Sequence, residues 1–344
     1  MKKVIVLLIV LSAYGSVAAQ TGAGTTNGDL PALEKRVERV EKAISKLPKV
    51  SGFLNMRYQW DSSDRTNSFD IRRIRVNLKG ELIPSFDYSL QVDFAGSPRI
   101  LDAYIRYKAA RQFNIQAGEF KIPFSMENTY SPTVLETSEN SMAISRLCNY
   151  SDISGTASNG RDVGIAFYGG FWEKDGYNVL DYNIGVFNGN GINVKDDNRA
   201  KDFSGRLTVN PTRHLSLSGS YYYGTFGKQE EGTHNRTRIG AGICWEDQRL
   251  IVRSEYIYGK TAGMKSEGVY AVAGYFVHPK FQPVIKYDFF REDRSDASSK
   301  DNCYLVGLNY YPFTFMRLQA NYTYKDMGKS PASHLLSLQF FAMF

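Results

Sequence analysis

From residue 50 to the carboxy terminus, apolar and polar side chains alternate with a period of two. After Phe53, the positions Leu54, Met56, Tyr58 and Trp60 are apolar, while Asn55, Arg57 and Gln59 between them are polar. Phe86, Tyr88, Leu90, Val92 and Phe94 share one face opposite Asp87, Ser89, Gln91 and Asp93. Met316, Leu318, Ala320, Tyr322 and Tyr324 oppose Arg317, Gln319, Asn321, Thr323 and Lys325 in the same way. This period places successive side chains on opposite faces of a strand. It predicts about sixteen strands, at 52–60, 71–80, 86–94, 99–108, 113–121, 161–168, 179–188, 203–210, 215–223, 236–245, 249–258, 268–277, 281–291, 302–310, 316–325 and 335–344. Tight connections at 84–85, 109–112, 211–214, 247–248, 278–280 and 312–315 alternate with long polar ones at 189–202, 224–235, 259–267, 292–301 and 326–334. Two connections break the alternation: 95–98 is short where a long one is due, and 169–178 is longer than a tight turn.

A soluble sandwich or propeller would bury the apolar face and show water the polar one. A membrane barrel inverts this, because lipid solvates the apolar face and closure satisfies every backbone group. Charged residues recur on the polar face of strand after strand, and the chain ends with Leu336, Leu338, Phe340, Ala342 and Phe344 on one face. Both features predict an all-β, 16-stranded antiparallel transmembrane β-barrel at residues 50–344, with its short turns periplasmic. Composition agrees: 23 Tyr, 21 Phe and 30 Gly suit strands and turns better than helices. No apolar run after residue 20 is long enough for a membrane helix. With 4 His and 3 Cys there is little material for a metal site or disulfide framework. No cofactor is expected, and Cys148, Cys244 and Cys303 read as free thiols. A formal charge of +7 over 344 residues is mild and gives no reason to expect nucleic acid.

The amino-terminal segment has a different character. Lys2 and Lys3 precede the apolar run 4–11 and the small residues through Ala19, which predicts a secretory signal peptide at 1–19. Residues 20–28 read as a flexible tether. Leu30, Leu33, Val37, Val40, Ile44 and Leu47 then step by three and four, predicting a short coiled-coil helix at 29–47 in the periplasm. That helix either packs on its own barrel or self-associates as a stalk, and self-association is the expected arrangement.

About sixteen strands enclose a space too wide for side chains to fill, so the polar face must line water. Strand phase puts Arg57, Arg73, Arg75, Lys79, Arg106, Lys108, Arg206, Arg236, Arg238, Arg253, Lys286, Arg317 and Lys325 on this wall. The acids with the same phase are Asp87, Asp93, Asp102, Asp162, Asp181, Glu255 and Asp288. A confined basic wall concentrates anions, and arginine forks match oxyanions in pairs. If the acids pair off these charges, a general diffusion pore remains. Aromatics with inward phase, Tyr104, Tyr222, Phe290 and Tyr311, favour a sugar-type or general porin as the alternative. No histidine lies beside a nucleophile in a way that suggests a barrel enzyme.

The connection 122–160 is too long for a plain hairpin loop and should be functional. Folded inward it would narrow the lumen; otherwise it would lie over the mouth. Glu127, Glu136 and Glu139 are then expected either to face the basic wall or to salt-bridge the loop to it, with Lys121 and Arg146 the nearest basic residues.

The run Gly118-Glu119-Phe120-Lys121-Ile122-Pro123-Phe124-Ser125-Met126-Glu127 resembles the G-x-F-K-x-P-F-S-x-E signature of the phosphate-selective porin O and P family. The resemblance covers the barrel portion, and only the signature, Lys121 included, carries over residue by residue. It implies a homotrimer of sixteen-stranded barrels, each constricted by its third long loop, and the passage of phosphate past arginine and lysine clusters. The expected function is an outer-membrane porin of a Gram-negative bacterium, giving passive and anion-preferring diffusion of small hydrophilic solutes. Its expected partners are outer-membrane lipid, small anionic or polar solutes, and the barrel-assembly machinery acting through Phe344.

Overall fold

The computed structural model describes residues 35–39 and 47–344. Residues 48–344 form one compact unit, and in the amino-terminal unit residues 35–39 are helical. The signal peptide expected at 1–19, the tether at 20–28 and most of the helix expected at 29–47 lie outside the described residues.

Sixteen strands follow: β1 (Lys49–Asp61), β2 (Thr66–Ile83), β3 (Phe86–Asp93), β4 (Arg99–Ala110), β5 (Phe113–Lys121), β6 (Arg161–Lys174), β7 (Tyr177–Phe187) and β8 (Asp202–Val209), then β9 (Leu215–Phe226), β10 (His234–Glu246), β11 (Leu250–Thr261), β12 (Met264–Tyr275), β13 (Phe281–Arg291), β14 (Lys300–Phe313), β15 (Met316–Met327) and β16 (Ser333–Met343). Each pairs antiparallel with its chain neighbours, and β1 with β16, so the barrel has no edge. At the seam Gly52 N donates to Phe344 O at 2.9 Å and Phe344 N to Gly52 O at 3.0 Å. A Cβ on Gly52 would stand 2.3 Å from Arg75 O and 2.6 Å from the Phe344 ring. Gly52→Val should therefore hinder closure, at a cost of about 1–3 kcal/mol. The check is the heat-resistant folded fraction on a gel, which should fall.

The faces are inverted relative to a soluble protein. Tyr322 is 42% exposed and Leu318 37%, whereas the alternating Arg317 and Gln319 are 1% and 2%. Ile243, Ile285, Val306 and Leu338 are likewise exposed, outward and apolar.

Connections differ from the expectation in two places. Residues 169–178 are not a long connection: β6 and β7 continue to a two-residue turn, Asp175-Gly176, with φ of 48° and 84°. Residues 259–267 are not a loop either: β11 and β12 meet at Ala262-Gly263, with φ of 48° and 93°. Two successive positive φ values match the twist of paired strands, so both strands extend to the turn. Asp-Gly at 175–176 is itself a hairpin signal. The connection 94–98 is short, as read. Cys148, Cys244 and Cys303 are free.

The packed core lies inside the lumen. Ile122, Phe124, Ala143, Ile144 and Leu147 of the long connection pack on Phe120, Phe187, Tyr222, Ile257, Tyr270, Val272 and Phe290 of the wall. Glycines hollow this stretch of wall: a Cβ on Gly242 would lie 2.6 Å from the Met126 Cε, and one on Gly268 2.7 Å from the Ala143 Cβ. Tyr222 and Phe290 are thus consumed by packing, which removes them as a surface for sugar rings. Tyr104 rests edge-on against Phe120, and the Tyr311 hydroxyl meets Gln282 at 3.4 Å.

Candidate functional site

Beyond Lys121 the chain turns into the barrel and forms two short helices, α1 (Met126–Thr129) and α2 (Met142–Leu147). The first N–H groups of a helix lack partners within it, and here wall carboxylates supply them. Glu255 of β11 accepts from Ser125 Oγ at 2.8 Å, Met126 N at 2.7 Å, Glu127 N at 3.0 Å and the Tyr270 hydroxyl at 2.7 Å. Asp288 of β13 accepts from Met142 N at 2.9 Å. Wall cations meet the loop's carbonyls in turn. Arg317 donates to Leu135 O at 2.9 Å and Pro132 O at 3.0 Å, Lys121 to Asn128 O at 2.7 Å and to Tyr130 O, and Arg206 to Ser125 O.

Two of the three loop glutamates bridge to the wall. Glu136 pairs with Arg253 at 2.6 Å; Glu139 pairs with Arg72 and, at 3.3 Å, with Arg57. Glu127 departs from the expectation. It accepts Ser141 N at 2.6 Å and Ser141 Oγ at 2.7 Å, tying the start of α2 to α1 within the loop, because these donors reach it before any wall cation does. Arg146 pairs with Glu292, just beyond the end of β13, at 2.6 Å. Further ties are Arg238 to Asp152 at 3.1 Å, and Arg236 to both Asp202 at 2.8 Å and Gly189 O at 2.6 Å.

These ties revise the picture of the wall. Arg236, Arg238, Arg253, Lys286 and Arg317 do face inward, but the loop covers them, and Arg75 is buried against Asp93 at 2.9 Å. Nor is Lys286 free, since it meets Asp288 at 3.2 Å. Five of the thirteen basic positions thus lie under the loop, because a loop this polar needs charged partners to enter a lumen, and Arg75 is withdrawn from water by a wall acid. Arg57, Arg73, Lys79, Arg106, Lys108, Arg206 and Lys325 remain at least partly exposed. Arg106 pairs with Asp87 at 2.7 Å, Arg57 with Asp70 at 2.7 Å, Lys325 with Asp61 at 2.8 Å, and Lys108 with Glu81 at 3.3 Å. Arg73 reaches only the amide oxygen of Asn55, at 3.1 Å, and Lys79 has no ion pair among the described residues.

Strand phase missed three functional residues. Arg72 occupies a β-bulge, where Asn55 pairs with Arg73 but Met56 with Ile71, and the extra residue swings to the lumen. Asp70 follows in the same shifted register. Arg161 opens β6 and binds Asp102 at 2.8 Å. No local signal marks the bulge; for Arg161, its place at a strand end hid its phase.

Burial opposes ionisation of Glu139, yet hydrogen bonding to Arg72 and the charges of Arg72, Arg73 and Arg57 hold its carboxyl below the usual range. A depressed native pKa stabilises above the unfolded pKa, and that stabilisation is lost as pH falls through the native value. Acidification below the ordinary glutamate range should therefore loosen the loop at residue 139. Single-channel current noise should rise there, and less so in Glu139→Gln, which has no proton to gain.

A closed barrel with an apolar exterior, a charged lumen and an inward loop that narrows it defines an outer-membrane porin of the Gram-negative type, a channel and not an enzyme. The model of the family described as phosphate-selective porin O and P matches residues 52–334, and the chain belongs to that family. Among solved structures it is similar to the anion-selective porin from Comamonas acidovorans, at TM-score 0.68 and 11% identity over 86% of this chain and 99% of that one. It is also similar to the trimer form of Vibrio cholerae OmpT (0.62, 10%, 86% and 99%) and to Salmonella typhi OmpF in complex with daunomycin (0.63, 12%, 88% and 99%). No curated protein is matched.

Proposed function

We propose that this porin passes small hydrophilic anions, oxyanions such as phosphate among them, in preference to cations. One observation carries the reading: which unpaired charges the lumen water meets. Of the seven wall acids, Asp162, Asp181 and Glu255 have no cation partner among the described residues; Asp162 and Glu255 are buried, and only Asp181 is partly exposed. Arg73, Lys79 and Arg206 have no carboxylate partner, and all three are partly or fully exposed. Asp181, held by Asn178 at 2.6 Å and Asn210 at 2.8 Å, is the opposing charge near Arg206 in a polar hollow of about 310 Å³ between β5 and β8. Fixed charges on a low-dielectric wall bias the local ion population by their sign. The family's description and the anion-selective Comamonas porin support the reading. A reversal potential in a salt gradient tests it, and cation preference would overturn it.

The assembly we infer is a homotrimer, as in the OmpT form above. An apolar hollow of about 750 Å³ on the outer face, lined by Phe69, Ile71, Leu308, Leu318 and Leu338, gives each copy a surface for another. The helix expected at 29–47 serves this assembly as a periplasmic stalk, and Phe344 serves recognition by the assembly machinery. Deleting residues 29–47 should lower the trimer fraction on a native gel and leave the heat-resistant barrel intact.

A further inference from the structure

We propose that the outward face at the long-loop end of β11–β14 binds the phosphate groups of an outer-leaflet glycolipid. The observation is a pair of cross-strand clashes. Lys260 of β11 stands directly opposite Lys265 of β12, and Arg291 of β13 directly opposite Lys300 of β14. Like charges facing each other across a ladder destabilise it. All four alternate with the outward residues Tyr256, Val269, Tyr287 and Tyr304, so they share the face that meets lipid. Lys260, Lys265 and Lys300 are exposed. Arg294 joins them, its backbone N bonded to Lys265 O at 2.8 Å.

One carboxylate answers these five cations within the cluster. Glu267 lies 3.5 Å from Arg291 and 3.4 Å from Arg294, and accepts the Tyr256 hydroxyl at 3.1 Å. It cannot also neutralise the lysines, and Arg291 Nε is left buried without an acceptor. Two other rims lack this conflict on their outward face: Trp60 faces Asn67 on β1–β2, and Tyr324 faces His334 on β15–β16. Lys121 and Arg161 also face each other, on β5–β6, but each is answered within the lumen, Lys121 by loop carbonyls and Arg161 by Asp102. Four strands span roughly 14 Å, enough for a headgroup bearing more than one phosphate. Arginine and lysine bind phosphate by charge-assisted hydrogen bonds, and the tyrosines beneath suit the boundary between headgroup and acyl chain. The lipid source is favoured over a free ion because the cluster faces away from the lumen, at the membrane's outer boundary. The inference does not depend on what the pore passes.

The full chain, folded in an uncharged detergent, is titrated with bisphosphorylated lipid A, with the same lipid dephosphorylated, and with inorganic phosphate, reading the thermal midpoint. The bisphosphorylated lipid should raise the midpoint, and the other two should leave it unmoved at the same concentrations. Lys260→Gln with Lys265→Gln should require roughly tenfold more lipid for the same shift. Without lipid that variant should melt above the unsubstituted chain, since the repulsion is gone. An equal response to dephosphorylated lipid, or an unchanged titration in the variant, would overturn the proposal. An equal response to inorganic phosphate would assign the site to a free ion and overturn it as well. Unchanged single-channel conductance reports that the variant folds; failing that, the three titrations of the unsubstituted chain decide.

Discussion

Glu255→Ala should raise single-channel conductance and make it noisy. The carboxylate is 2% exposed and gathers four donors: Ser125 Oγ, Met126 N, Glu127 N and the Tyr270 hydroxyl. Removing it strands them in a site that offers no replacement acceptor, at about 1–3 kcal/mol for each buried donor left unmade. The barrel ladder does not use this side chain, so the folded fraction should hold while the start of the loop detaches and the lumen widens. Glu255→Gln keeps one acceptor oxygen and should fall between the two. Conductance indistinguishable from the unsubstituted porin in Glu255→Ala would mean that the loop is held elsewhere.

Arg73→Gln combined with Arg206→Gln should lower the anion-to-cation permeability ratio by roughly two- to fivefold per charge removed. Unit charges a few ångströms apart in water interact by about 1 kcal/mol. The loss should be largest in dilute salt, where screening is weakest. Arg75→Gln should behave differently, because Arg75 and Asp93 are buried together, 6% and 4% exposed. It should reduce stability and leave selectivity nearly unchanged, since breaking a buried pair leaves the other charge uncompensated. Reversal potentials at two salt concentrations and a thermal midpoint separate the two outcomes. Selectivity that tracks Arg75 rather than Arg73 would reverse the assignment of which cations meet solute.

Strand alternation carries the fold because a barrel in lipid has only two environments, and each residue from Phe53 onward must choose one. Leu318 and Arg317 follow that rule without exception. The turns were less legible. Ala262-Gly263 lacks the usual Asn or Asp, so its sequence gives no signal that the strands run on to a two-residue turn. The lumen is where phase alone fails, since facing inward does not say whether water or a loop lies in front. Arg253 and Arg73 have the same alternation, yet one clamps Glu136 and the other does not. The signature at 118–127 was the more informative signal, and its residues now have physical roles. Phe120 and Phe124 join the packed core, Lys121 fixes two loop carbonyls, Ser125 caps α1, and Glu127 ties α1 to α2.

The loop's ties also run across the line where the chain closes on itself. Ser138 N meets Asn321 of β15 at 2.7 Å, and Gln319 of β15 reaches Glu136 O at 2.8 Å, while Glu139 is held by Arg57 of β1 and Arg72 of β2. A segment from the middle of the chain thus acts as an internal brace spanning its first and last strands. The contacts to β15 join residues far apart in sequence and cannot form until that strand has arrived. The brace across the seam is therefore complete only once β15 is in place, and without it the narrow passage would be fastened on one side alone.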